Sequence, residues 1–212
     1  MYIPSHFEEH RPDVLHALMR DYPLATIITL TSGGIVANHI PLHLYLDASG
    51  GAVLRGHVAR ANPLWNDWMR GTEALAVFQG PDGYISPTWY PTKQEHGKVV
   101  PTWNYCAVHA YGVLQIHQDS SWIRAQVQAL TAWQESASPH PWSVSDAPHD
   151  YVEAMLKQIV GIEINITRLH GKWKLSQNQP QRNRAGVIEG LAKRDDAAAA
   201  PLHALMRERE AP

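Results

Sequence analysis

The chain has 212 residues, of which 44% are hydrophobic and 18% charged, with a formal net charge of −2. This suits one large domain or a domain with helical additions, and it excludes a surface that binds nucleic acid all over, though not a local basic patch. No apolar run is long enough to cross a bilayer, and the N-terminal residues lack the basic-then-apolar order of a signal peptide, so the cytoplasm is the expected compartment. Cys106 is the only cysteine, which leaves no intrachain disulfide.

In chain order, residues 6–20 are predicted as a helix with Val14, Leu15, Leu18 and Met19 on one face, stopped by Pro23. Residues 25–30 and 35–46 flank Ser32-Gly33-Gly34 and read as a β-hairpin, with Pro41 marking an edge or a bulge. A second turn at 47–51 leads into a strand at 53–57. A helix from Asn62 to about Gly71 comes next, burying Leu64 and Trp68, and then a strand at 74–78. Gly80-Pro81-Asp82-Gly83 reads as a turn, residues 84–90 as half strand and half loop, and 91–98 as loop. Residues 103–117 form the longest predicted strand, with Gly112 as a bend. Helices are predicted at 121–135 and 151–159, the second capped by Asp150, across a Pro-rich connector at 138–148. Ile162, Ile164 and Ile166 alternate with Glu163, Asn165 and Thr167 as a strand, which His170-Gly171 turns into 172–176. A last helix covers 180–193. Residues 1–194 are read as one domain with helical additions, and 195–212 as a C-terminal tail, either a loose helix or disordered. Roughly five to seven strands joined by tight turns favour antiparallel pairing, so the fold class is α+β, a small antiparallel barrel with peripheral helices.

The stretch 54–65, L-R-G-H-V-A-R-A-N-P-L-W, organises the candidate site. Asn62 is a good N-cap and Pro63 a good first helical residue, so N–H groups of a helix start would face outward beside Arg60. An ordinary capped helix with a solvated arginine explains the same residues, and both uses stay open at this point. Other chemistry is less well supported. Thirteen histidines contain no H-E-x-x-H and no paired cysteine accompanies them, so no metal site is expected. Cys106 lies in an apolar run and Ser86 lacks a G-x-S-x-G context, so no nucleophile is expected. Seven Lys or Arg residues against one acid, Glu189, between Arg168 and Arg194 offer either phosphate contacts or a solvated face. Aromatic and hydrogen-bonding residues recur at strand ends, around His57, Ser86, Trp103 and Lys172–Gln177. Those residue types suit a flat phosphorylated cofactor such as flavin mononucleotide.

Six ordered blocks carry a family likeness: M-Y-I-P-S-H-F, G-H-V-A-R-A-N-P, Y-I-S-P-T-W-Y, V-P-T-W-N-Y, I-V-G-I-E-I and G-K-W-K-L-S-Q-N. They resemble the signatures of the PaiB family of FMN-binding proteins, known as negative transcriptional regulators, from Met1 to about Leu191. The resemblance implies a flavin-reductase-like split β-barrel and a homodimer with FMN between subunits. It implies Arg60 and Lys174 at the phosphate, with Asn62 adding donors. His57, Ser86, Trp103 and Trp173 would line the ring or its edge, with Ser176 and Gln177 beside them. Trp173 and Lys174 would come from the partner subunit. Gln179 stands where a basic residue would be expected. The regulator reading involves DNA, directly or indirectly. The alternatives are a flavin-dependent oxidoreductase using FMN and NAD(P)H, or a flavin- or haem-binding module without DNA contact.

Overall fold

A computed structural model describes residues 1–46, 51–194, 197 and 199–210. The strands are β1 (Glu8–Glu9), β2 (Leu24–Thr31), β3 (Gly34–Pro41), β4 (His43–Leu46), β5 (Ala52–Ala59), β6 (Glu73–Ile85), β7 (Thr102–His117) and β8 (Ile159–Lys174). The helices are α1 (Pro12–Asp21), α2 (Thr92–His96), α3 (Ser120–Glu135), α4 (His149–Leu156), α5 (Gln181–Ala192) and α6 (Ala199–Glu210). The strands hydrogen-bond in the order β3-β2-β6-β7-β8-β5-β4, with β1 also on β8. Leu42 alone separates β3 from β4, so the two ends of that order are consecutive in the chain, the connectivity of a barrel. Every pairing with a resolved register is antiparallel. The α+β expectation holds.

The chain forms two compact units. One comprises Met1–Asp21, Gln79–Val108 and His170–Pro212; the other Tyr22–Phe78 and His109–Leu169. In the first, α1 places Leu15, Leu18 and Met19 in the core, and α5 and α6 add Val187, Leu191, Leu202 and Met206. The tail residues 199–210 are thus a helix with a buried face, whereas most of the residues preceding it from 195 lie outside the described ones. In the second unit the hairpin β2–β3 turns through Ser32-Gly33, with Gly34 at φ 114°. Ile27, Leu54, Leu64, Leu114, Ile162 and Ile164 are fully buried there. The predicted second turn lies at 47–50, outside the described residues, up to Gly51.

Several boundaries differ from those the sequence predicts. Gly80-Pro81-Asp82-Gly83 is not a turn: β6 runs straight through it, because neither glycine takes a positive φ. His170-Gly171 likewise continues β8, where Gly171 pairs with Glu9. A Cβ at Gly171 would lie 2.2 Å from Leu15 Cδ2, so the glycine serves close packing and not a reversal. Gly112 does not bend β7. A Cβ there would fall 2.1 Å from Asn165 O, so only glycine lets the strands approach. Residues 92–96 are a short helix, and α4 is capped at Pro148 without a side-chain bond, not at Asp150. α3 begins as expected, with Asp119 Oδ1 accepting from Trp122 N at 2.8 Å.

Candidate functional site

β5 delivers the chain to Arg60, and Asn62 then acts as a cap. Its Oδ1 accepts from Leu64 N at 2.9 Å, and its Nδ2 donates to Asn38 Oδ1 at 2.8 Å. The cap opens one tight helical turn, Pro63–Trp65, and not the expected longer helix. Asn66 N and Asp67 N both return to Pro63 O, and Met69 N donates to Leu30 O at 2.8 Å, which draws the chain out of helical geometry. One turn carries little dipole, and its first free N–H is held by Asn62. The anion cradle expected from a helix start is therefore not formed here.

Arg60 is held by the protein itself. Nε donates to Lys157 O at 2.8 Å, Nη2 to Ile159 O at 3.1 Å and Nη1 to Gln118 Oε1 at 3.1 Å. The first of these acceptors lies at the C-cap of α4, where a cation meets unsatisfied carbonyls and the negative end of the helix. The guanidinium also lies 5.8 Å from the Trp65 ring centroid, and Trp65 Nε1 donates to Arg60 O at 2.8 Å.

Beside this clamp is a cavity of about 470 Å³, lined among others by Trp65, Trp68, Asn66, Arg70, Gln115 and Gln118. That volume lies within the roughly 300–1,000 Å³ of small-molecule sites. Arg60 touches two of the lining residues, Trp65 and Gln118. Arg70 is exposed and has no protein hydrogen bond among the described residues. Sequence reasoning missed Trp65, Trp68 and Arg70. The available signal was two tryptophans three residues apart followed by an arginine, directly after the N-cap.

His57 faces elsewhere. Its Nδ1 lies 2.9 Å from Gln126 Oε1, and the ring lines a different cavity of about 340 Å³.

The remaining candidates fall in the other unit. Ser86 caps the turn Pro87–Trp89, its Oγ accepting from Thr88 N at 3.2 Å. Trp103 is half exposed, with Nε1 donating to Asp82 Oδ1 at 2.9 Å. Lys174 Nζ donates to Trp103 O at 2.6 Å and to Thr102 Oγ1. Burial, and then the charge of Lys172, lower the Lys174 pKa. Trp173 is buried, with the Arg209 guanidinium 5.7 Å from its ring centroid. Ser176 is buried at φ 67°, a left-handed backbone rare for a non-glycine, and its Oγ bonds Asn104. Gln177 turns back on the chain, accepting from Leu175 N and donating to Trp173 O. Trp103 and Lys174 are thus brought together, as are Trp173 with Gln177 and Ser176 with Asn104. Asn104, fully buried on β7, belongs to the hydrogen-bonding and aromatic stretch 102–104 that the sequence singles out, though the sequence assigns it no role of its own.

Among the described residues no helix is long and apolar enough to cross a membrane. Among known proteins, an uncharacterised protein of Emericella nidulans is 37% identical over 244 residues, covering 99% of this chain and 97% of its own. The protease synthase and sporulation protein PAI 2 of Bacillus subtilis is 29% identical, covering 99% of this chain and 98% of its own. The solved flavocytochrome Anf3 of Azotobacter vinelandii superposes with a TM-score of 0.58 at 11% identity, over 87% of this chain and 78% of that one. The FAD and haem binding protein of Mycobacterium smegmatis gives 0.56 at 16% identity, over 84% and 78%. These likenesses show the fold alone, an antiparallel α+β split β-barrel. The model of the family described as "Putative FMN-binding domain" matches residues 1–168, and with the PAI 2 likeness this makes the chain a member of that PaiB-type flavin-binding family.

Proposed function

We propose that this protein is a cytoplasmic, homodimeric FMN-binding negative regulator of transcription of the PaiB type, with the flavin seated at the cavity beside Arg60. The observation that carries the reading is the lining of that cavity. Trp65 and Trp68 offer indole faces to a flat ring, Asn66, Gln115 and Gln118 offer amides to its heteroatom edge, and the unengaged Arg70 offers a guanidinium to phosphate. This donor set fits FMN, which when bound would supply redox chemistry that the chain's own residues lack. Arg60 and Asn62 order the wall: the arginine fixes Gln118 and Trp65, and the asparagine fixes the turn. Lys174, Trp103 and Ser86 would meet the flavin from the second copy of a homodimer, over a support formed by Trp173, Ser176 and Gln177.

Dimerisation is favoured by the outer face of the β2–β3 hairpin. Leu24, Leu30 and Ile35 lie on one face there by register, and all three are exposed. Contact with DNA is assigned to an indirect route. The basic segment is largely neutralised, with Arg168 on Glu73, Arg182 on Glu95 and Lys193 on Glu189. Lys172 is buried and donates to Tyr2 O.

The test is the visible spectrum of the purified protein after adding FMN and desalting. The proposal expects retained flavin, with affinity lowered by about 1.5–3 kcal/mol in Arg70→Ala, which loses a charged hydrogen bond to phosphate, and lowered also in Arg60→Ala, which frees Trp65 and Gln118. A protein that stays colourless, or FMN affinity unchanged in both variants, overturns the site. A shift of promoter DNA at low salt by the protein alone overturns the indirect route.

A further inference from the structure

The cavity that His57 lines is unlike the one beside Arg60. Its walls are Val127 on α3, Trp142 and Val144 on the connector, and Tyr151, Val152 and Met155 on α4. Its floor is a packed cluster of Ile123, Val144, Val152 and Leu156. At the mouth Trp142 is 47% exposed, Tyr151 56% and Met155 43%, so three large side chains are left half bare around one opening. No Lys, Arg, Asp or Glu lines the cavity, and its lining shares no residue with the 470 Å³ cavity.

Two uncharged polar side chains, His57 and Gln158, also line it, and His57 is held from behind. Gln126 is 2% exposed, and its Oε1 meets His57 Nδ1 at 2.9 Å. A carboxamide oxygen only accepts, so with Oε1 toward the ring Nδ1 is the donor of this contact and Nε2 is the ring nitrogen left to accept from a ligand. Among the described residues no group bonds Nε2. Gln126 Nε2 is also buried without a partner among them, an unfavourable arrangement for a residue that merely fills space.

We propose that this cavity is a binding site for a neutral, planar, apolar molecule of two fused rings with one N–H or O–H donor, the indole or naphthol class, which donates to His57 Nε2. The absence of charge excludes an ionised ligand as the natural occupant. The size follows from volume: an apolar cavity of about 150 Å³ holds one benzene, and this one measures about 340 Å³. The site is independent of the flavin reading, and occupancy here would give a regulator a small-molecule input.

The experiment is calorimetric titration of the full-length protein with indole and with N-methylindole, which matches its shape and lacks the donor. Saturable indole binding at one per chain is expected, with N-methylindole about tenfold weaker. His57→Phe keeps the apolar wall and should erase that preference. Met155→Trp, at an exposed position on α4, should fill the mouth and weaken both ligands. Absence of saturable indole binding overturns the proposal, and so does equal binding of the two ligands to the parent protein. The ligand pair needs no variant, so a variant that misfolds does not rescue or sink it.

Discussion

Replacing Glu9 tests how the N-terminal strand and the C-terminal helix are held. Glu9 is 5% exposed, a position where a lone carboxylate would be strongly unfavourable. Arg11 donates to it three times: backbone N to Oε1 at 3.0 Å, Nε to Oε1 at 2.9 Å and Nη2 to Oε2 at 2.8 Å. Arg209 on α6 donates to Oε2 as well. Arg11 first, and then Arg209, hold the carboxyl at about 2 against an ordinary 4.5, with burial opposing them. A carboxyl depressed in the folded state stabilises the protein fully above its unfolded pKa. That stabilisation is lost as pH falls from 4.5 toward 2. At about 1.4 kcal/mol per pH unit the linkage is worth roughly 3 kcal/mol, and solvent screening at the exposed Arg11 brings it to roughly 2–3. Glu9→Gln should therefore lose about 2–3 kcal/mol near neutral pH and converge on the parent near pH 2. Urea unfolding at a series of pH values reads both. A variant as stable as the parent near neutrality, or one that keeps the parent's full acid slope below pH 4.5, refutes the reasoning.

Gly112→Ala should lower stability by at least about 2 kcal/mol, read from the urea midpoint. The new Cβ would meet Asn165 O at 2.1 Å and Ile164 Cγ2 at 2.7 Å, so an unchanged midpoint contradicts the close approach. Cys106 is fully buried and burial pushes its thiol pKa up, so the native protein should resist a thiol reagent that the urea-unfolded chain consumes. Reaction of the native thiol at the unfolded rate would count against that placement. Asn62→Ala removes both the cap on Leu64 N and the bond to Asn38, and should cost about 1 kcal/mol by the same unfolding assay.

The sequence was most readable where one period ran without interruption. β7 and α3 were placed within a residue of their ends, because alternation and helical spacing each persisted over several turns of pattern. It misled where glycine or proline stood for a turn. At 80–83 and at 170–171 those residues serve packing inside strands, a use that becomes visible only when the opposing side chain is known. Alternation puts Glu163 on the polar face of its strand. It is buried, matched by Arg55 Nε at 2.7 Å from a strand more than a hundred positions earlier, and no local pattern reports such a partner.

The arginine of the organising stretch shows why a site is harder to read than a fold. Arg-Ala-Asn-Pro has the composition of a phosphate cradle and of a structural clamp alike, since both uses need a guanidinium beside an N-cap. The two uses differ in where the donors go. At Arg60 three lead to Lys157, Ile159 and Gln118, residues supplied from far along the chain. Five positions after the clamp begins the pair of tryptophans, and ten after it stands Arg70, with its donors unengaged among the described residues. A fully charged group without a partner among the described residues, at the rim of a cavity walled by indoles, would be the better anion ligand of the two in the proposed site. In the flavin reading proposed here, Arg60 would act on the ligand chiefly through Trp65 and Gln118, by holding ring and amide in place, so Arg60→Ala would weaken binding by disordering the wall.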